Sequence, residues 1–229
     1  MMSTRETGDW PGAVLFDMDG TLIDSEHLWL QAEQRIMNDL GGSWTEADQE
    51  HCLGGPLERV AEYMIASAGS TRSVQQVGLD LMDEVEALMR REPIIWRPGA
   101  RELLTEATEL GISTALVTAS WRRLVMALHE RLADDIGADP FTVIVPGDEV
   151  SRGKPHPDPY LSAMNLLGKV PIHCMAIEDS PTGVAAAVAS GARVVAVPHI
   201  ATIEAQLSLC VVDSLEGETI KSLWRGFTP

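Results

Sequence analysis

Residues 13–21 read Ala-Val-Leu-Phe-Asp-Met-Asp-Gly-Thr. Four apolar residues run straight into two carboxylates, Asp17 and Asp19, and then into Gly20. A carboxylate at the end of a buried segment is costly unless something pairs with it. The apolar run itself is continuous rather than alternating, the pattern of a strand buried on both faces of a parallel sheet. Similar runs recur at 113–117, 142–145, 174–177 and 193–197. Each leads into a polar or glycine-bearing turn. Helical periodicity lies between or after them, at 99–110, 121–132, 157–167 and 181–190. Ser180 is placed as an N-cap with Pro181 at the first helical position, and Gly111 and Gly168 stand where helices should stop. The alternation predicts an α/β fold, a doubly wound parallel sheet with a Rossmann-like core.

One segment breaks the alternation. Between the first strand and residue 96 there is only helical periodicity, at 27–40, 45–52, 57–68 and 74–91, and Ser43-Trp44-Thr45-Glu46 has the spacing of a capping box. The expected organisation is an α/β core over 9–23 and 98–229 with an inserted helical domain over 24–97. Neither an internal repeat nor a low-complexity tract interrupts it. Apart from the first eight or so residues and the last few, nothing reads as disordered.

Charge narrows the function classes. With 34 acidic and 17 basic residues the formal net charge is −17, which argues against nonspecific nucleic-acid binding through a general field. An anionic substrate would therefore need a local positive site built from a cation, a lysine and helix N-termini. No apolar run approaches the ~20 residues of a membrane helix, and the first twelve residues lack a signal-peptide core. Three widely spaced cysteines, Cys52, Cys174 and Cys210, fit a reducing compartment. The expectation is a cytoplasmic monomer without membrane or nucleic-acid partners.

Ligands of open parallel sheets bind beyond the carboxyl ends of the strands. Beyond these strands lie Asp17 and Asp19, then Thr118-Ala119-Ser120, then Lys154 after a turn, and finally Glu178-Asp179-Ser180. Four carboxylates in one crevice repel one another unless a cation sits among them. Oxygen-only donors select a hard cation, with Mg²⁺ the expected one. A calcium-loop reading of DMDG fails, because Gly20 follows the second aspartate directly and Leu28 stands where a bidentate Glu is needed. A phospho-accepting receiver domain gathers similar groups but is much shorter and has no helical insert. A single carboxylate after a strand is often only a helix cap. The joint pattern carries the argument.

In this pattern the chain resembles the haloacid dehalogenase-like hydrolase superfamily. Asp-x-Asp-Gly-Thr at 17–21, Thr118, the lysine of GKPHPDPY and the acidic pair of IEDSPTGVAAAVASG match its four motifs in order and span most of the sequence. The helical insert resembles the cap of the subgroup holding phosphoglycolate phosphatase and β-phosphoglucomutase, and DMDGTLIDSEHLW is most similar to 2-deoxyglucose-6-phosphate and hexitol phosphatases. The resemblance implies Asp17 as nucleophile, forming an aspartyl-phosphate, and Asp19 as general acid and base. It also implies Mg²⁺ held by Asp17, the Asp19 backbone carbonyl and Asp179, with Glu178 binding directly or through water. Thr118, the Ala119 amide and Lys154 would hold phosphate oxygens, and Gly20 would let the backbone approach the phosphate. True dehalogenases expel a halide, which needs no proton, so Asp19 points to an oxygen leaving group.

Three readings follow from the resemblance. The leading one is a phosphatase of a small phosphorylated metabolite, a sugar or polyol phosphate. The second is a phosphosugar isomerase like β-phosphoglucomutase. That enzyme has a histidine where Trp29 stands and a cap arginine where the stretch 53–59 aligns Glu58, with Arg59 beside it. A carboxylate there would repel a second phosphate. The third, a non-catalytic binding protein, is disfavoured because every catalytic position is filled. Arg122 and Arg123 read as a solvated pair, since cations are disfavoured at a helix N-terminus. Trp29 and Trp44 read as packing of the helical insert, and His51, His129, His156, His173 and His199 as incidental.

Overall fold

The computed structural model describes residues 9–52, 57–199, 202–203 and 209–227. The first eight residues, the last two, and the stretch 53–56 used above to weigh an isomerase lie outside them. The chain forms two compact units, Met1–Asp24 with Ile95–Pro229, and Ser25–Ile94.

The first unit is built on strands β1 (Ala13–Phe16), β2 (Ser113–Val117), β3 (Val143–Val145), β4 (Cys174–Glu178), β5 (Arg193–Ala196) and β6 (Leu209–Val211). They form one parallel sheet in the order β3-β2-β1-β4-β5-β6. All four residues of β1 are fully buried, as the continuous apolar run requires, and each large side chain among them contributes about 1.5–3 kcal/mol. The fold is thus the α/β, Rossmann-like one that the alternation predicts. β6 escapes the sequence reading: Leu-Cys-Val is too short to register as a run, and its residues are only partly covered.

Helices α5 (Ala100–Glu109), α6 (Arg122–Ile136), α7 (Asp158–Leu166), α8 (Pro181–Ala189) and α9 (Ile220–Arg225) accompany the sheet. Tyr160, Ala163 and Met164 of α7 and Val184, Ala186 and Ala187 of α8 pack on Ala13, Leu15, Ala115 and Ala176. α5 packs against β2 and touches α6 and α9. Ser180 caps α8 by accepting from Gly183 N at 3.0 Å, and Gly111 and Gly168 take the left-handed conformation after their helices. Strand order reverses at β1, with β2 on one side and β4 on the other. That reversal opens a crevice at the carboxyl edge, just past Phe16.

The second unit holds α1 (Glu26–Asp39), α2 (Glu46–Cys52), α3 (Leu57–Ala68) and α4 (Val74–Arg91). α4 packs against α1 and α3, burying Val77, Leu81, Val85, Leu88 and Met89 at helical spacing. The capping box forms two residues later than Ser43-Trp44-Thr45-Glu46 predicts. Asp48 N donates to Thr45 Oγ1 at 3.3 Å and Thr45 N to Asp48 Oδ2 at 2.8 Å. Two bonds from other parts of the unit fix that register. Tyr63 of α3 donates to Asp48 Oδ1 at 2.7 Å, and Trp44, ahead of the helix, buries its ring and donates to Glu33 at 2.9 Å. Among the described residues no helix is long and apolar enough to cross a membrane.

Candidate active site

Asp17 follows β1 directly, and its amide still donates to Ile177 O at 3.1 Å. Thr118 follows β2 and donates in the same way to Val145 O at 3.1 Å. The strands therefore deliver these residues with their backbones pinned to a neighbour. Lys154 arrives from the turn between β3 and α7, and its ammonium donates to Asp17 Oδ1 at 2.7 Å, Glu178 Oε1 at 2.6 Å and Val117 O at 2.9 Å. Glu178, the last residue of β4, is 0% exposed. It also accepts from Tyr160 OH at 2.7 Å and Ser180 Oγ at 3.3 Å.

Asp17, Glu178 and Asp179 each bring a carboxylate oxygen within 4.8 Å of the others. Against these three stands the Lys154 ammonium, and the imbalance shows in the proton affinities of Asp17 and Asp179. Burial pushes the Asp17 carboxyl well above the usual range, with Glu178 and Asp179 adding to the effect and Lys154 opposing it. Asp179 is pushed up to about 7, by burial first and then by the charge of Glu178. Burial alone would lower Lys154, but Asp17 and Glu178 outweigh it and hold the ammonium above its ordinary value. An all-oxygen cluster short of positive charge is what a hard divalent cation fits.

Asp19 turns elsewhere. Its Oδ2 accepts from Ser120 Oγ at 2.7 Å and from Thr118 Oγ1 at 3.5 Å, so the two carboxylates of the Asp-Met-Asp stretch have different partners. Gly20 adopts φ +83°, and a Cβ there would fall 2.2 Å from Asp179 Oδ2. The close approach it permits in this structure is thus by a carboxylate. Thr21 Oγ1 donates to Asp179 Oδ1 at 3.3 Å. Gly183 of α8 serves Glu178 similarly, since a Cβ would fall 2.0 Å from both carboxylate oxygens.

The structure thus gathers Asp17, Asp19, Gly20, Thr118, Lys154, Glu178 and Asp179, with exposed Ala119 beside Thr118. Arg122 is engaged elsewhere: it is ion-paired with Glu149, and its amide donates to Asp148 Oδ1 at 2.8 Å. Arg59 donates to Cys52 O at 3.4 Å. Tyr160 and Ser120 carry no role in the sequence reading, although Tyr160 ends the GKPHPDPY motif and Ser120 follows the same strand as Thr118. His199, read as incidental, lies close to Gly20, its Nδ1 3.3 Å from where a Cβ on that residue would stand.

A family model described as haloacid dehalogenase-like hydrolase matches residues 14–197. Protein CbbY of Rhodobacter capsulatus is 34% identical over 192 residues, covering 81% of this chain and 85% of that protein. Hexitol phosphatase A of Escherichia coli is 34% identical over 192 residues, covering 80% and 81%. Among solved structures, a point mutant of CbbY from Rhodobacter sphaeroides in complex with xylulose-(1,5)bisphosphate superposes with a TM-score of 0.77 at 29% identity, covering 93% of this chain and 99% of that one. The chain belongs to the haloacid dehalogenase-like hydrolase family, in the subgroup with a helical cap.

Proposed function

We propose that the protein is a Mg²⁺-dependent phosphatase of a small sugar or polyol phosphate, acting through an aspartyl-phosphate on Asp17. It is a phosphoric monoester hydrolase of its superfamily. Relatives named for hexitol phosphates and phosphorylated carbohydrates, and a similar structure holding a ketose bisphosphate, support the substrate class. The observation that carries the mechanism is the divergence of Asp17 and Asp19: one carboxylate faces Lys154, the other faces hydroxyls.

In the first step an Asp17 oxygen attacks phosphorus. The new oxygen–phosphorus bond forms as the ester bond breaks, its electron pair leaving on the substrate oxygen, which takes a proton from Asp19. In the second, Asp19 removes a proton from water, whose oxygen displaces Asp17 from phosphorus and releases phosphate. Thr118 and the Ala119 amide hold phosphoryl oxygens, and Lys154, anchored by Glu178, supplies fixed positive charge. Asp17, Asp179 and the Asp19 carbonyl would hold Mg²⁺, with Glu178, occupied by donors from Lys154, Tyr160 and Ser180, behind them. When bound, the ion would supply charge neutralisation for the nucleophile and the phosphoryl group. Substrate choice falls to the cap, the helical domain over 24–97.

Phosphate release from a panel of hexitol phosphates, aldose phosphates and ketose bisphosphates tests this reading. Stoichiometric phosphate from one sugar or polyol class, lost with EDTA and restored by Mg²⁺, is the expected result. Isomerisation of a sugar phosphate without phosphate release would overturn it.

A further inference from the structure

We infer that Ser120 is a positioning residue that fixes the orientation of the Asp19 carboxyl. The inference rests on Asp19 acting as general acid. A carboxyl turns easily about its last side-chain bond, because that torsion has broad minima. A general acid needs the opposite, one oxygen held toward the leaving group within hydrogen-bond reach. Ser120 Oγ donates to Asp19 Oδ2 at 2.7 Å, whereas Thr118 Oγ1 reaches the same oxygen only at 3.5 Å. Of the two hydroxyls, Ser120 makes the tighter bond.

Ser120 is itself held firmly. Its amide donates to Thr118 Oγ1 at 3.0 Å, and its carbonyl accepts from Gly147 N at 2.9 Å. Thr118 is in turn pinned to β3 through Val145 O at 3.1 Å. The hydroxyl that orients the acid thus stands on a loop fixed to β3 and the turn following it, while the acid follows β1. Sheet register transmits the alignment from one to the other. Loss of the hydroxyl removes the shorter of the two hydroxyl bonds to Oδ2 and loosens the carboxyl without removing the acid. A misplacement of this kind costs roughly 10- to 100-fold in the protonated step.

First-turnover release of phenol from a series of substituted phenyl phosphates tests this directly, because poor leaving groups need the proton and p-nitrophenolate does not. Asp19→Asn is expected to show the steepest dependence on leaving-group acidity. Ser120→Ala should be clearly steeper than wild type, losing about 10-fold or more on phenyl phosphate while staying within about 3-fold on p-nitrophenyl phosphate. Ser120→Gly should match Ser120→Ala, and Ser120→Thr should restore the wild-type slope. A wild-type slope for Ser120→Ala beside a steep one for Asp19→Asn would overturn the role of Ser120 and leave the acid in place. Wild-type slopes for both would remove Asp19 as the acid, and the inference with it. A uniform rise in KM across the series, with the slope unchanged, would also overturn it.

Discussion

Each unit of this protein buries a carboxyl group, and the two are satisfied in contrasting ways. Glu178, at the end of β4, is wholly enclosed and accepts from Lys154, Tyr160 and Ser180. Glu33, on α1, is 5% exposed and accepts from the Trp44 indole at 2.9 Å. Burial pushes Glu33 up to about 7, against the Trp44 bond and with a small push from Glu26. Burial first, and then the charge of Glu33, raise the proton affinity of the Cys52 thiol. The α/β unit surrounds its carboxylate with a cation because the proposed chemistry needs that cation held in place. In the helical unit burial raises the carboxyl's proton affinity, and the bond it accepts comes from a neutral indole donor.

The comparison breaks most sharply at Lys154. Lys154→Met leaves Asp17 and Glu178 buried without their ammonium, and the expected loss is about 3–5 kcal/mol in urea unfolding, with turnover abolished. Stability within 1 kcal/mol of wild type, on the order of a lost surface pair, would show that the cluster is not held by that charge.

Glu33 is expected to give the next largest effect, and with pH as its signature. Its folded proton affinity is raised, so the folded state holds a proton that the unfolded chain has already lost. Stability therefore falls as pH rises from about 4.5 to about 7, reaching a cost of about 3 kcal/mol above that window and none below it. Glu33→Gln keeps an acceptor for Trp44 and removes the titration. Its stability relative to wild type should rise between pH 4 and pH 8; a constant difference would mean Glu33 ionises as readily folded as unfolded.

The smallest effect is expected at Arg122, paired with Glu149 where both side chains are more than 40% exposed. Arg122→Ala should change stability by no more than about 1 kcal/mol and leave kcat/KM unaltered. A large loss of activity would place this arginine on the substrate.

Much of the α/β unit is legible in the sequence, because strands buried on both faces leave unbroken apolar runs and their polar ends stand out against them. β6 is not, since three half-covered residues carry no pattern. The α2 cap lies two residues beyond the expected one because Ser43 and Thr45 offer equivalent local signals. Only the contacts of Asp48 with Tyr63 and of Trp44 with Glu33, which local spacing does not encode, decide between them. Ser120 and Tyr160 belong to the same class: each acts on a carboxylate distant in sequence, Asp19 or Glu178. Neither a lone hydroxyl after a strand nor a tyrosine in a helix announces such a partner.

The central claim is that Asp17 carries the phosphoryl group. Rapid acid quench after mixing with p-nitrophenyl phosphate and Mg²⁺, followed by peptide mass spectrometry, tests it most directly. The account expects the peptide containing Asp17 to gain the mass of one phosphoryl group within the first turnover, and Asp17→Asn to gain none. Phosphate release without that adduct, or an adduct that survives Asp17→Asn, would contradict it.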